Sequence, residues 1–413
     1  NVSDAEFRAL FLHEFGHMLD FFNMIRSQSP ANVQNQHRLL MGPWVHGGSG
    51  QAQVGTATQG QLSYPNAAGF NDTNALHFFD YHLRNIPNGW NNTPFVLYYQ
   101  MGDTQWLGSA TWPPPGINTH DFYFQTDTSM WVSPPANVSG ALNYSYDPLD
   151  PSPTIGGATL RNDLDQGPYD QSPVVESRND VLTFTTPLLT SDVIMKGKAE
   201  VHLSCASDKT DTDFMVRITD VYPDGRSMLV QTGARRMRFR NGYTAADTSL
   251  LVPNQTYNLV IDIPASAITF KSGHRIRVDV SSSIYPMFNR NANSGGLLYP
   301  GNNPDSLINP QVALNTVNTN ATQLSFVRLP LENFVSVTSY SLPLMADFRV
   351  LPNPSAENAK LHFTLRKAET LIFTMSDITG KVLKVYDAKR YDSGSAIVEL
   401  PVAPEAGLYF IRA

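Results

Sequence analysis

The sequence predicts a mainly β protein in three blocks: a short mixed α/β block (residues 1–92), a long β-sandwich of the jelly-roll type (93–345) and a small separate β-sandwich (348–413). Three observations carry this. Apolar runs are short and strand-like for most of the length. Gly and Pro, at 27 and 29 residues, punctuate them together with Asn, Ser and Thr. Helical spacing of apolar residues is found only in the first block.

The first block opens with Phe7, Leu10, Phe11, Phe15, Met18, Phe22 and Ile25 at helical spacing, behind a capping-box pattern Ser3-x-x-Glu6. An alternative parse is a strand (7–12), a loop (13–17) and a helix (18–27). Arg38-Leu39-Leu40-Met41 then reads as a short buried strand running into Gly42-Pro43-Trp44-Val45-His46-Gly47-Gly48. A Gly-rich loop after a buried strand is where α/β enzymes place their chemistry. Residues 74–84 read as an amphipathic helix, closed by Pro87 and Gly89.

In the second block, strands are expected at 95–99, 181–184, 214–218, 257–261 and 275–280, with a turn at Pro223-Asp224-Gly225. In the third, they are expected at 360–365, 371–376, 382–386, 396–400 and 408–411, with a turn at Thr379-Gly380.

Composition narrows the function. The 413 residues suffice for two or three domains, and 16% charged residues leave a sparse charged surface. The net charge of -7 makes nucleic acid an unsuitable partner. The one basic run, Arg235 to Arg240, alternates with apolar residues and reads as one face of a strand. The single cysteine, Cys205, excludes an intrachain disulfide and sits in a run that reads as a buried strand. No apolar run approaches the ~20 residues of a membrane-spanning helix. The chain starts at Asn1 rather than Met, so it is silent about a leader peptide.

"LLMGPWVHGG" resembles the loop that carries the catalytic histidine in the family of cocaine esterases, α-amino-acid ester hydrolases and X-Pro dipeptidyl peptidases. "ALHFFDYHLRNIPNG" is similar to the closing helix of that family's α/β-hydrolase domain. "LTFTTPLLTSDVIMKGKAEVHLSCASDKTDTDFMVRITDVYPDGRS" and "GHRIRVDVSSSIYPMFNRNANSG" resemble its C-terminal jelly roll. The likeness covers roughly residues 20–340, in the family's order, and implies that residues 1–92 are a partial α/β-hydrolase end. "LPNPS", "SDITGKVL" and "GLYFIRA" are similar to the C-terminal sorting module of the type IX secretion pathway of Bacteroidetes. That likeness implies a partner in the secretion machinery and a secreted or cell-surface location. The chain stops at Ala413 just after "GLYFIRA", which suggests that its C-terminus is clipped.

The family likeness implies a serine hydrolase acting on small esters, α-amino-acid esters or X-Pro peptides through an acyl-serine intermediate, with no metal or organic cofactor. Such enzymes order their triad Ser, then Asp or Glu, then His. His46 takes the last role. No Gly-x-Ser-x-Gly elbow occurs in the chain, so the nucleophile is expected upstream and this polypeptide is expected to be inactive alone. The family's aspartate stands about thirty residues before the histidine, usually in a Gly-Trp-Tyr-Asp-like sequence that is absent here. Glu14, 32 residues before His46, is taken ahead of Asp20, 26 before it. A third alternative is that neither serves.

His13-Glu14-Phe15-Gly16-His17 is also a full H-E-x-x-H pattern, which on a helix sets two zinc-binding imidazoles on one face with a glutamate base. The alternative function is therefore a zinc peptidase with His13 and His17 as ligands. Against it, Asp20 and Asn23 stand where the extended motif needs Gly and His, and no Glu occurs between Glu14 and Glu176. His37, Asp72 or Asp80 remain as third ligands without supporting spacing. An alternative that would explain the conflict is that residues 1–19 are foreign to the rest, joined near Asp20. A further alternative is a surface carbohydrate-binding or adhesion protein using Trp106, Trp112 and Trp131.

Overall fold

The computed structural model describes residues 19, 21–45, 56–159, 161, 163–298, 307–334, 345–351, 359–365, 368–377, 381–400 and 409–412. The chain divides into two compact units, Asn1–Ser336 and Val337–Ala413.

The first unit begins with a helix over 21–28, followed by the strand Leu39–Met41. That strand pairs in parallel with Val96–Gln100, which pairs antiparallel with Gln105–Ser109. Parallel neighbours need a long crossover. Here it holds a two-residue hairpin (Thr58–Gln59 with Leu62–Ser63) and the helix Phe70–Arg84. This helix starts four residues before the amphipathic pattern does. Gly69, in the left-handed region at φ 66°, turns the chain into it, and Phe70 stacks on Trp106 with ring centroids 3.9 Å apart. Packing of one aromatic thus extends the helix beyond its periodic part.

The rest of the unit is an antiparallel two-sheet sandwich. Among the described residues one sheet has seven strands. Val193–Ser207 lies at its centre, flanked by Tyr257–Phe270, Phe326–Glu332 and Ala313–Asn318; Ile117–Phe124, Met130–Trp131 and Ala141–Tyr146 complete it. The facing sheet runs Ser227–Arg236, Asp213–Val221, Arg275–Ser281, Leu182–Thr185. Alternation sets the core: Leu259, Ile261 and Ile263 from one sheet meet Phe214, Val216, Ile218 and Val278 from the other. Phe124 stacks on Phe184 across the gap at 4.1 Å. Burying each such side chain stabilises the fold by about 1.5–3 kcal/mol. Cys205 is fully buried in the central strand, and burial pushes its thiol well above the ordinary range, so it packs as a small apolar group.

The basic run does not stay on one strand face. The strand ends at Arg236, and Met237–Phe239 form a 3-10 turn. Asp213 holds Arg236 through two hydrogen bonds at 2.8 and 2.9 Å, and the buried Asp211 holds Arg238 at 2.7 Å. Two buried carboxylates pull the arginines out of strand alternation, because a buried guanidinium without a partner costs several kcal/mol.

The α/β block is spliced to the sandwich through backbone. Met101 N–H donates to Ala267 O at 3.0 Å and Thr269 N–H to Met101 O at 2.8 Å, which continues the strand Val96–Gln100 onto Tyr257–Phe270. Gly102 makes this approach possible: at φ 84° an added Cβ would lie 2.2 Å from the Thr269 carbonyl oxygen.

In the second unit, Met345–Leu351, Lys360–Leu365 and Gly394–Glu399 form one sheet. Val382–Val385, Thr374–Asp377 and Tyr409–Arg412 form another, and Glu369–Leu371 pairs with Lys389–Tyr391. Leu361, Phe363, Leu365, Leu371 and Phe373 make its core. The single strand expected over 371–376 is two strands, divided where Phe373 turns into that core while Ile372 stays exposed. The turn expected at Thr379-Gly380 lies outside the described residues.

Two stability outcomes follow from this architecture. Gly102→Ala introduces both a clash and a strained left-handed residue, and is expected to lower the unfolding free energy by at least about 1–3 kcal/mol in denaturant titration. Asp279 is fully buried, with neither carboxylate oxygen hydrogen-bonded among the described residues. Burial, reinforced by the neighbouring Glu176 carboxylate, pushes its pKa up to about 8. Its folded form therefore holds a proton that the unfolded chain releases near pH 4. That favours the fold fully below about pH 4, and the advantage is lost as pH rises towards 8. Asp279→Asn keeps the neutral form at every pH. Its stability relative to the parent should therefore increase between pH 5 and pH 8 in parallel thermal melts.

Candidate active site

The strand Leu39–Met41 delivers its following loop to the edge of the sandwich. Gly42 lacks the side chain that would collide with the Trp44 ring, which folds back over it; an added Cβ would lie 2.2 Å from Trp44 Cε3. Trp44 packs against Trp106 at 5.6 Å, and Trp106 is fixed by Phe70, by Tyr99 at 5.3 Å and by its indole N–H to Asn66 O at 2.8 Å. Val45 N–H donates to Oε1 of the buried Gln59 at 2.9 Å. Gln59 sits in the hairpin that docks on the sandwich at Gly60 and Gly167, where Gln61 N–H donates to Pro168 O at 2.9 Å. The loop is thereby held up to Val45, the residue before His46.

Between this loop and the sandwich lies a cavity of about 330 Å³. One wall is the 41–45 segment with Tyr64 and Tyr99. The other is the sandwich: Gly157 and Ala158, Asp220 and Tyr222, the start of Ser227–Arg236, and 265–268. Its lining is largely apolar, and among the described lining residues Asp220 is the one Asp, Glu, Lys, Arg or His. Asp220 is buried, and its carboxylate accepts a hydrogen bond from His274 Nδ1 at 2.9 Å. Burial raises its pKa, and the His274 contact opposes that rise. Tyr222 packs on the His274 ring at 4.4 Å. Tyr64 meets Tyr99 edge-on at 5.8 Å, and burial pushes its phenol above the ordinary range.

His46, Glu14, Asp20, His13 and His17 all lie outside the described residues. Ser63 and Ser266 line the cavity, and neither is hydrogen-bonded to a described histidine. Ser29 Oγ and His37 Nε2 are 2.9 Å apart, but His37 faces a different groove, between Phe70–Arg84 and Leu39–Met41. Among the described residues no three His, Cys, Asp or Glu side chains gather in a way that would hold a metal ion. The tryptophans do not share a surface environment: Trp112 is buried on Tyr98, Trp106 lies under Phe70, and Trp131 donates to Ser129 Oγ in the sandwich.

Sequence reasoning found the loop but missed Asp220, Tyr222 and His274. The available signal was an ionisable residue at an inward position of the run Asp213–Val221, three residues before Pro223-Asp224-Gly225. Its burial depends on which strands cover it. No helix among the described residues is long and apolar enough to cross a membrane.

Residues 88–328 match the family model of the X-Pro dipeptidyl-peptidase C-terminal non-catalytic domain. The chain is 35% identical over 275 residues to cocaine esterase of Rhodococcus sp. (strain MB1 Bresler), covering 63% of this chain and 46% of that protein. Among solved structures it is similar to an α-amino acid ester hydrolase (26% identity, TM-score 0.64, 75% of this chain and 52% of the other). It is likewise similar to an aminopeptidase from a marine sediment Thaumarchaeota archaeon (26% identity, TM-score 0.62, 71% and 49%). The chain spans about half the length of these relatives. With a sandwich of this architecture and a family match over more than half its residues, the chain belongs to the X-Pro dipeptidyl-peptidase C-terminal domain family.

Proposed function

We propose that the chain is the C-terminal portion of a secreted serine hydrolase that cleaves small esters, α-amino-acid esters or X-Pro peptides. The observation that carries this reading is the cavity walled on one side by the loop running into His46 and on the other by the sandwich. In this reading residues 1–92 end an α/β-hydrolase domain, and the parallel pairing of Leu39–Met41 with Val96–Gln100 is consistent with that. A serine on an elbow upstream of Asn1 attacks the carbonyl. His46 takes its proton and returns it to the leaving group, and an acid, Glu14 or alternatively Asp20, holds the imidazole in the required tautomer. The sandwich closes the acyl side of the cleft and excludes water. This mechanism needs no metal or organic cofactor. The named activities of the similar proteins, an esterase, an ester hydrolase and an aminopeptidase, support acyl transfer as the reaction class.

In the product read from the gene with its upstream region, His46→Ala is expected to lower kcat on a p-nitrophenyl ester by about 10³–10⁶-fold with an unchanged melting temperature. Near-parental turnover would overturn the assignment. The 413-residue chain alone should stay unlabelled by a fluorophosphonate that labels the longer product.

We further propose that residues 348–413 act as a type IX sorting module, which makes the secretion machinery a partner and the cell surface or exterior the destination. A reporter fused to 337–413 should appear outside a host that has the pathway and stay inside an isogenic strain that lacks it. Retention in both strains would contradict the role.

A further inference from the structure

We propose that Asp220, held by His274, is a subsite in the cavity for a primary ammonium group of the ligand, which makes the sandwich the part of this chain that selects cationic substrates. The biological meaning rests on the cavity being the substrate cleft described above; the binding chemistry does not.

The argument starts from the two carboxylate oxygens. One accepts from His274 Nδ1, at 2.9 Å. The other has no hydrogen-bond partner among the described residues, although the side chain is only 8% exposed and the residue lines the cavity. A carboxylate this deeply covered normally has its hydrogen-bonding capacity filled. Here the residue lines a space of about 330 Å³. His274 is itself clamped: its ring packs on Tyr222, and its backbone N–H donates to Lys271 O at 3.0 Å. The imidazole therefore fixes one carboxylate oxygen and leaves the other to a ligand.

Among the described residues no lysine or arginine is hydrogen-bonded to that oxygen. Arg226 lies over Tyr222 at 4.9 Å but is held by Asp224 at 2.8 Å. Lys271 is bound by Asp103 and Asp192, at 2.6 and 2.8 Å. Around the carboxylate the walls are apolar and aromatic, including Tyr64, Trp44 and Met228. In such surroundings a charge-assisted N–H···O bond is stronger than in water, and aromatic faces favour a cation. A neutral hydroxyl in the same place gains much less.

Binding to the 413-residue chain tests this with two probes of the same apolar body, benzylammonium and benzyl alcohol, by calorimetry or ligand-observed NMR at pH 7. The parent should prefer benzylammonium, and raising ionic strength should weaken that probe alone. Asp220→Asn keeps an acceptor for His274 and should lose about 10–100-fold in benzylammonium affinity, the range for removing the charge from one such bond, with benzyl alcohol unchanged within about twofold. Equal affinity of the parent for both probes, an equal loss of both in the variant, or binding of neither would each overturn the subsite. The probe preference and salt response of the parent decide the matter even if Asp220→Asn does not fold. Because no turnover is read, failure here is distinct from failure of the His46 test.

Discussion

Everything assigned to the site depends on one junction, the backbone splice at Met101. Two hydrogen bonds to Ala267 and Thr269 fasten the end of the strand Val96–Gln100 to the long strand Tyr257–Phe270. The side chains around it repeat the tie. Gln100 Nε2 donates to Thr269 Oγ1 at 3.1 Å, and Lys271 reaches Asp103 at 2.6 Å. Because Leu39–Met41 pairs directly with Val96–Gln100, fixing one strand fixes the other, and with it the loop that starts at Gly42. The α/β block and the sandwich act as one body at this point, so a cavity between them has a defined shape.

The polar groups of the sandwich divide into two kinds. Asp211, Asp213, Arg236, Arg238 and Asn291 satisfy one another, and such a network fixes one arrangement of the loops around it. Asp279 and Asp220 are not fully satisfied. Asp279 lies inside the structure, where burial keeps it protonated over part of the neutral range. Asp220 opens onto a cavity, where a ligand supplies what the protein does not. The same shortage of partners therefore has a consequence for stability in one case and for recognition in the other.

Much of the fold was legible because it rests on period and punctuation. Val96–Gln100, Leu182–Thr185 and Arg275–Ser281 fall within a residue or two of their apolar runs. Pro223-Asp224-Gly225 forms its turn with Gly225 at φ 95°. What local pattern did not give came from tertiary contacts: the early start of Phe70–Arg84 under Trp106, the exit of Arg236 and Arg238 towards buried aspartates, and the continuation of one strand to Phe270. For the site, the Gly-rich loop was legible from its place after a buried strand. The sandwich wall was not, since Asp220 and His274 are 54 residues apart and meet only through the pairing of Asp213–Val221 with Arg275–Ser281. His46 itself was reached through family likeness, and it lies one residue beyond the described loop.

The central claim is that this chain gives a serine hydrolase both its base and one wall of its cleft. The most direct measurement is a crystal structure of the longer gene product after reaction with a phosphonate that carries an aryl group. The account predicts an adduct on one upstream serine, with His46 within hydrogen-bond distance of its oxygen and the aryl group inside the cavity between Trp44 and Met228. An adduct outside that cavity, or one with His46 remote from the modified serine, would contradict it.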